Sequence, residues 1–263
     1  MRFTSLAVIT CCVFISSCSK REAPEPLSPK VMSVNGQYLI DKEEHRLRPV
    51  VGGTAHFNYD GERVTKRLGG YITISSAGGP SGFYTTDIYD TLQYHSPNRI
   101  TITTKERIKD ADIFSTDFKR EITLEKGLVA KKITYDENTP HQYSDTIYYH
   151  YDSQKRLKKT VQYYRWNIIT REYLFDSKGN LQKIEGTARY RDNGSISYTT
   201  EERFGSYDDK PNPLKGLGMW QDLFYRTLST NNFTTYTFKR GRDIEGLSWV
   251  LQYDAEGNVD FSK

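Results

Sequence analysis

The sequence predicts an all-β, largely antiparallel fold: a meander of repeated β-hairpins with one short helix near residues 219–228. Three observations carry this expectation. The chain holds 20 Tyr and 12 Phe while only 36% of it is hydrophobic, so its core material is largely aromatic. Tyr and Thr favour strands, where a ring covers one face and its hydroxyl reaches water. Apolar residues recur at every second position, and a turn of fixed chemistry recurs between them.

Residues 1–17 read as a signal peptide. Arg2 gives a positive start, and Leu6 to Ile15 is an apolar stretch too short to span a bilayer, which needs roughly 20 residues. It ends in Ile15-Ser16-Ser17-Cys18, which looks like a lipobox. The Cys18 thiol is the expected lipidation site, with acyl chains anchoring the protein to a membrane. Cys11 and Cys12 fall in the discarded peptide, so the mature chain has no thiol besides Cys18 and no disulfide. Residues 18–30, rich in Pro and charge, read as the lipidated cysteine and a flexible tether. Ser19 in place of Asp resembles the outer-membrane sorting signal of enterobacterial lipoproteins. Glu22 and Glu25 are too interrupted to match a surface-export run, so periplasmic and surface-facing placements both stay open.

Residues 31–263 are expected to form one β-rich domain. Ile72-Thr73-Ile74 and Ile100-Thr101-Ile102 are short β-type runs. Ile147, Tyr149 and Tyr151 alternate, as do Leu157, Val161 and Tyr163, Tyr173 and Phe175, and Leu247, Trp249, Leu251 and Tyr253. From Met219 to Leu228, Trp220, Leu223, Phe224 and Leu228 fall at helical spacing. Charged pairs within strands, such as Lys158-Lys159 and Glu201-Glu202, are expected to blunt exposed sheet edges.

The recurring turn is Tyr151-Asp152-Ser153-Gln154-Lys155-Arg156-Leu157, then Phe175-Asp176-Ser177-Lys178-Gly179-Asn180-Leu181, then Tyr253-Asp254-Ala255-Glu256-Gly257-Asn258-Val259. The aromatic residue closes one strand and the Asp accepts hydrogen bonds from turn amides. The Gly supplies positive φ and the aliphatic residue opens the return strand. Lys155 stands where Gly is expected, at a cost of about 1 kcal/mol if it is left-handed.

These residues resemble the YD (Tyr-Asp) repeats of the Rhs family, with hairpins at 145–194 and 247–259. Joined to a lipobox, and with the segment Tyr207 to Pro213, they resemble Bacteroidota-type lipoproteins. The resemblance implies repeated hairpins; the chain is too short for the toxin-enclosing shell of full Rhs proteins.

No catalytic residue is nominated. The Gly-x-Ser-x-Gly elbow, the His-Glu-x-x-His helix and the phosphate-binding glycine loop are all missing. His45, His56, His95, His141 and His150 are scattered without ligand spacing, so no metal and no cofactor are expected. Asp254, Glu256, Asn258 and Asp260 alternate in a way that loosely suits Ca²⁺, but a hairpin turn explains them; Asp110, Asp112 and Asp117 are weaker still. The net charge of +4 is small and interleaved, unlike a nucleic-acid binder. Tyr164 and Trp166, beside a strand end, are the candidate binding aromatics. The expected function is a membrane-anchored, non-catalytic envelope module for a protein or glycan partner. The alternatives are a polysaccharide-acting envelope enzyme with two converging carboxylates, or a structural subunit of an envelope complex.

Overall fold

The computed structural model describes residues 30–43, 46–49, 52–76, 79–106, 118–136 and 145–263. The expected signal peptide, Cys18 and the tether up to residue 29 lie outside the described residues, as do His45, His141, Asp110, Asp112 and Asp117.

The protein is an antiparallel meander. Strands β1 (Ser33–Asn35), β4 (Thr54–Asp60), β5 (Arg63–Ser76), β6 (Gly79–Ser96), β7 (Arg99–Glu106), β8 (Phe118–Glu125) and β9 (Leu128–Asp136) form one half. Strands β10 (Asp145–Tyr151), β11 (Leu157–Tyr163), β12 (Asn167–Phe175), β13 (Leu181–Tyr190), β14 (Ile196–Tyr207), β15 (Phe233–Arg240) and β16 (Asp243–Ser248) form the other. Among the described residues these are fourteen strands in one sheet, hydrogen-bonded in sequence order once β4 has paired with β1. A separate hairpin, β2 (Ile40–Glu43) with β3 (Arg46–Pro49), follows β1.

The sheet is open, with β1 and β16 at its edges. The chain's last residues bridge them. Asn35 N–H donates to the Phe261 carbonyl at 2.7 Å, the Tyr38 hydroxyl donates to the Val250 carbonyl at 3.1 Å, and the Trp249 indole donates to the Gln37 carbonyl. Residues 208–232, between β14 and β15, run along the inner face as a plug. The Trp220 ring lies against Phe57 of β4, while Phe224 lies against Tyr149 of β10 and Tyr173 of β12. One short segment can touch strands so distant in the meander only because the sheet curls around it.

The two faces differ sharply. Inward positions form two apolar clusters: Phe57, Ile102, Ile122 and Trp220 belong to one, and Tyr149, Ile184, Phe204 and Tyr236 to the other. The outward face carries a row of charge across five strands, with Lys159 opposite Glu172, Glu172 opposite Glu185, Glu185 opposite Glu201, and Glu201 opposite Lys239. Like charges facing each other are unfavourable, and ion pairs on the same strand offset them: Lys183 with Glu185 at 2.6 Å and Arg203 with Glu201 at 2.8 Å.

The recurring turn has the expected geometry in all three copies. Asp152 Oδ1 accepts from Gln154 and Arg156 N–H, both at 2.9 Å; Asp176 Oδ1 accepts from Lys178 and Asn180 N–H at 2.9 and 2.8 Å; Asp254 Oδ1 accepts from Asn258 N–H at 2.7 Å. Gly179 and Gly257 have φ of +83° and +80°, and Lys155 occupies the same left-handed place at +62°. The Asp254 carboxylate is thus committed to its turn, and Asp260 accepts from Ser262 N–H at 3.0 Å.

Four expectations need correction. The helix is shorter than Met219 to Leu228: only Phe224–Thr227 is α-helical, after a 3₁₀ turn at Lys215–Leu217. Leu223 at its start offers no side-chain cap, and Asp222, which could have capped, is bound to Arg67. The run Leu247 to Tyr253 is not one strand, because β16 ends at Ser248. Trp249 turns instead to lie 4.2 Å from the Arg226 guanidinium, and Tyr253 makes only an isolated bridge to Val259. Leu157 does not share a face with Val161 and Tyr163, because a bulge opposite His150 and Tyr151 shifts the register and turns Thr160 and Gln162 inward. Lys158-Lys159 and Glu201-Glu202 do not guard an edge: they lie on interior strands, and Glu202 points into the core with 0% exposure, where the Tyr236 hydroxyl donates to it at 2.6 Å.

Candidate functional site

Between the two apolar clusters the inner face carries a polar strip, and the strip lines a cavity of about 450 Å³. Strand register builds it. Arg67 on β5 stands opposite Asp90 on β6, which stands opposite Thr104 on β7. Arg120 on β8 stands opposite Thr134 on β9, which stands opposite Asp145 on β10. Lys132 stands opposite Ile122 and Ile147, Ile147 opposite Gln162, and Thr160 opposite Arg171. The plug closes the remaining side with Trp220, Gln221, Asp222 and Tyr225.

Part of this charge is fully engaged. Asp90 accepts from Thr104 Oγ1 and Arg120 Nη2, each at 2.6 Å, and from Trp220 Nε1 at 2.5 Å. The Asp222 carboxylate grips the Arg67 guanidinium through both oxygens, while the Arg67 carbon lies 5.7 Å from the Trp220 ring. These two networks pin the plug to β5, β6 and β8. A buried carboxylate with every oxygen hydrogen-bonded is stable, and a half-satisfied one is costly.

The rest is less matched. Lys132 is buried at 9% exposure and has no hydrogen bond or ion pair to a described residue. Burial, with the positive Arg120 and Arg171 nearby, lowers its pKa from 10.5 to about 8. Arg171 donates to Gln162 Oε1 at 3.0 Å and has no described carboxylate within ion-pair distance. Burial raises the Asp145 carboxyl from 3.8 to about 6, with Lys132 pulling the other way.

Of the two aromatics singled out from the sequence, Tyr164 lines the cavity and Trp166 does not. Trp166 is 66% exposed on the turn between β11 and β12, with the Arg165 guanidinium 4.6 Å from its ring. The turn holds its shape through Tyr164 N–H to the Asn167 carbonyl at 2.8 Å and Arg191 N–H to the Trp166 carbonyl at 2.9 Å. None of the described histidines, His56, His95 and His150, lines the cavity. Lys132, Arg171, Arg120, Asp90 and Asp145 escape sequence reasoning, because a charged residue on an inward strand position reads like one on the surface. The one available signal is parity: Asp90 alternates with Ile88 and Leu92, both buried.

A further buried cation lies within the short helix of the plug. Arg226, at 2% exposure, donates from Nε to the Tyr38 carbonyl at 2.6 Å and from Nη1 to the Phe233 carbonyl at 3.2 Å. Its guanidinium lies 4.5 Å from the Phe233 ring and 5.7 Å from that of Phe261. Aromatic faces here replace a carboxylate as the counter-field.

No protein-family model matches the chain, and no curated protein matches it. Solved structures do. A porin-like protein from Bacteroides uniformis ATCC 8492 superposes with a TM-score of 0.50 at 12% identity, covering 89% of this chain and 88% of that one. A porin-like protein from Bacteroides vulgatus ATCC 8482 gives a TM-score of 0.50 at 12% identity, covering 88% and 90%. The likeness is one of fold: an antiparallel all-β meander.

Proposed function

We propose that the chain is a lipid-anchored protein of the cell envelope that binds a small ligand inside its curled sheet without catalysing a reaction. The porin-like character of its structural neighbours supports an envelope setting. One observation separates this reading from a membrane-spanning barrel. The outward row Lys159, Glu172, Glu185 and Glu201 puts charge within the interior of four successive strands, where a spanning strand needs an apolar band about 25 Å tall. The sheet therefore stays in water, and attachment falls to Cys18. Support for binding rather than hydrolysis comes from the cavity's carboxylates: Asp90 and Asp222 are locked to guanidinium groups, leaving Asp145 without a free acidic partner there.

Two measurements test the reading. Cells fed a labelled fatty acid should label the wild-type chain and leave Cys18→Ala unlabelled. Replacing residues 1–18 with a cysteine-free, cleavable secretory leader should move the chain from the membrane pellet to the soluble envelope fraction. Retention in the pellet after alkaline washing means the sheet itself is embedded, and the reading fails.

A further inference from the structure

We infer that the inner-face cavity binds a small hydroxylated anion, a carboxylate or phosphate, through Lys132 and Arg171. This inference rests on the binding reading above and names the ligand class for the same cavity. The argument begins with charge. Four cations line the cavity, Arg67, Arg120, Lys132 and Arg171, against three carboxylates, Asp90, Asp145 and Asp222. Two cations are already matched, Arg67 by Asp222 and Arg120 by Asp90. Lys132 and Arg171 are left with Asp145 on the wall and, behind it, the buried Glu202, whose charge favours the Arg171 cation; neither Lys132 nor Arg171 forms an ion pair with a described residue.

Position strengthens the point. Lys132 is held by the register between Ile122 and Ile147, so its stem cannot leave the inner face without unpairing β9. Lys132 as a residue is nine-tenths removed from water, and its ammonium lines the cavity with no hydrogen-bond or ion-pair partner among the described residues, a costly arrangement unless something else pairs with it. Arg171 adds a planar fork of donors with only Gln162 engaged, and Arg120 keeps its Nε–H unpartnered. Guanidinium and ammonium groups lining one cavity suit a carboxylate or phosphate.

The remaining walls define the rest of the ligand. Thr134, Gln162 and Tyr164 offer neutral hydrogen-bonding groups, while Trp220 and Tyr225, 0% and 3% exposed, back the wall and present almost no surface of their own. Neutral hydrogen-bonding groups beside cations suit a hydroxylated anion better than an alkyl chain. At about 450 Å³ the space lies within the range of small-molecule sites. A sugar acid and a sugar phosphate both meet these conditions.

The test is calorimetric titration of the mature chain, purified in detergent, with glucuronate, glucose 6-phosphate, inorganic phosphate and neutral glucose. The inference predicts saturable one-to-one binding of at least one anion, no binding of glucose, and at least a tenfold loss of affinity in Lys132→Met and in Arg171→Gln. Preference between glucuronate and glucose 6-phosphate identifies the acid involved. A wild-type readout guards against a variant that fails to fold: NMR titration of the Lys132 ε-carbon should show its pKa rising from about 8 when the bound anion is present. Folded protein that binds none of the three anions, or binds them equally well in Lys132→Met, overturns the inference. Either result leaves the envelope reading standing, since fractionation and lipid labelling do not depend on the cavity.

Discussion

The two ends of the curled sheet are built on opposite principles. At one end lie the turns after β10 and β12 and the base of the plug, where carboxylates and amides are paired chiefly by neutral hydrogen-bond donors. Asp152 and Asp176 bond to amides two and four residues on. The plug's base is closed over longer separations, with Asp208 Oδ1 accepting Asn232 N–H at 2.9 Å, and Asn180 and Asn231 bonding to each other. At the other end lie the first residues of β8 and β10, the Tyr164 turn and the cavity. There Asp90 and Trp220 pair across 130 positions of sequence, and Lys132 has no hydrogen-bond or ion-pair partner among the described residues. One end is arranged for stability; the other spends stability on a charged interior, as functional sites commonly do.

Variants can sharpen this contrast. The largest effect is expected for Asp90→Ala at the cavity end, which strands the Arg120 guanidinium and the Trp220 indole together. Urea denaturation should show a loss of about 3–5 kcal/mol, the usual cost of breaking a buried ion pair. Lys132→Met should act in the opposite direction. The Lys132 pKa is about 8 folded against 10.5 unfolded, so between these values the unfolded chain binds the proton more tightly. Wild-type stability should therefore rise with pH from about 8 to about 10.5. Lys132→Met should lack that rise and gain roughly 3–4 kcal/mol at pH 7, at about 1.4 kcal/mol per unit. A wild-type curve flat across this window would contradict the buried, unpaired lysine.

Smaller effects belong to the turn end. Asp176→Ala removes two charge-assisted bonds to turn amides and should cost about 1–2 kcal/mol, read as a lower urea midpoint with unchanged slope. Lys155→Gly relieves a left-handed side-chain residue at φ +62° and should stabilise by about 0.5–1 kcal/mol. The gain is modest because Gly also frees the unfolded chain.

The same contrast decides what was legible in the sequence. Strand alternation and the Asp-x-x-Gly turns are local patterns, so the meander could be read directly, including the left-handed slot held by Lys155. The site could not, because its meaning lies in register across many strands. Tyr164 was found as an aromatic beside a strand end, yet its companion in the cavity is Trp220 rather than Trp166. The overlong helix expected at 219–228 has the same origin: Trp220, Leu223 and Phe224 are spaced for a helix, but each answers to a different part of the sheet. Glu202 illustrates what parity can recover, since it alternates with the buried Phe204 and so was marked as inward by its neighbours.

The most direct test of the account is water exposure of the outward charge row in membranes. The sequence beyond Cys18 has no cysteine, so single cysteines at Glu172, Glu185 and Glu201 give clean reporters there. On washed, opened membranes, a hydrophilic maleimide should label all three as fast as a cysteine placed at the exposed Ser153 turn. Protection of the three mid-strand positions, with rapid labelling at Ser153, would mean that the sheet lies in lipid and would contradict an anchored, water-facing binding protein.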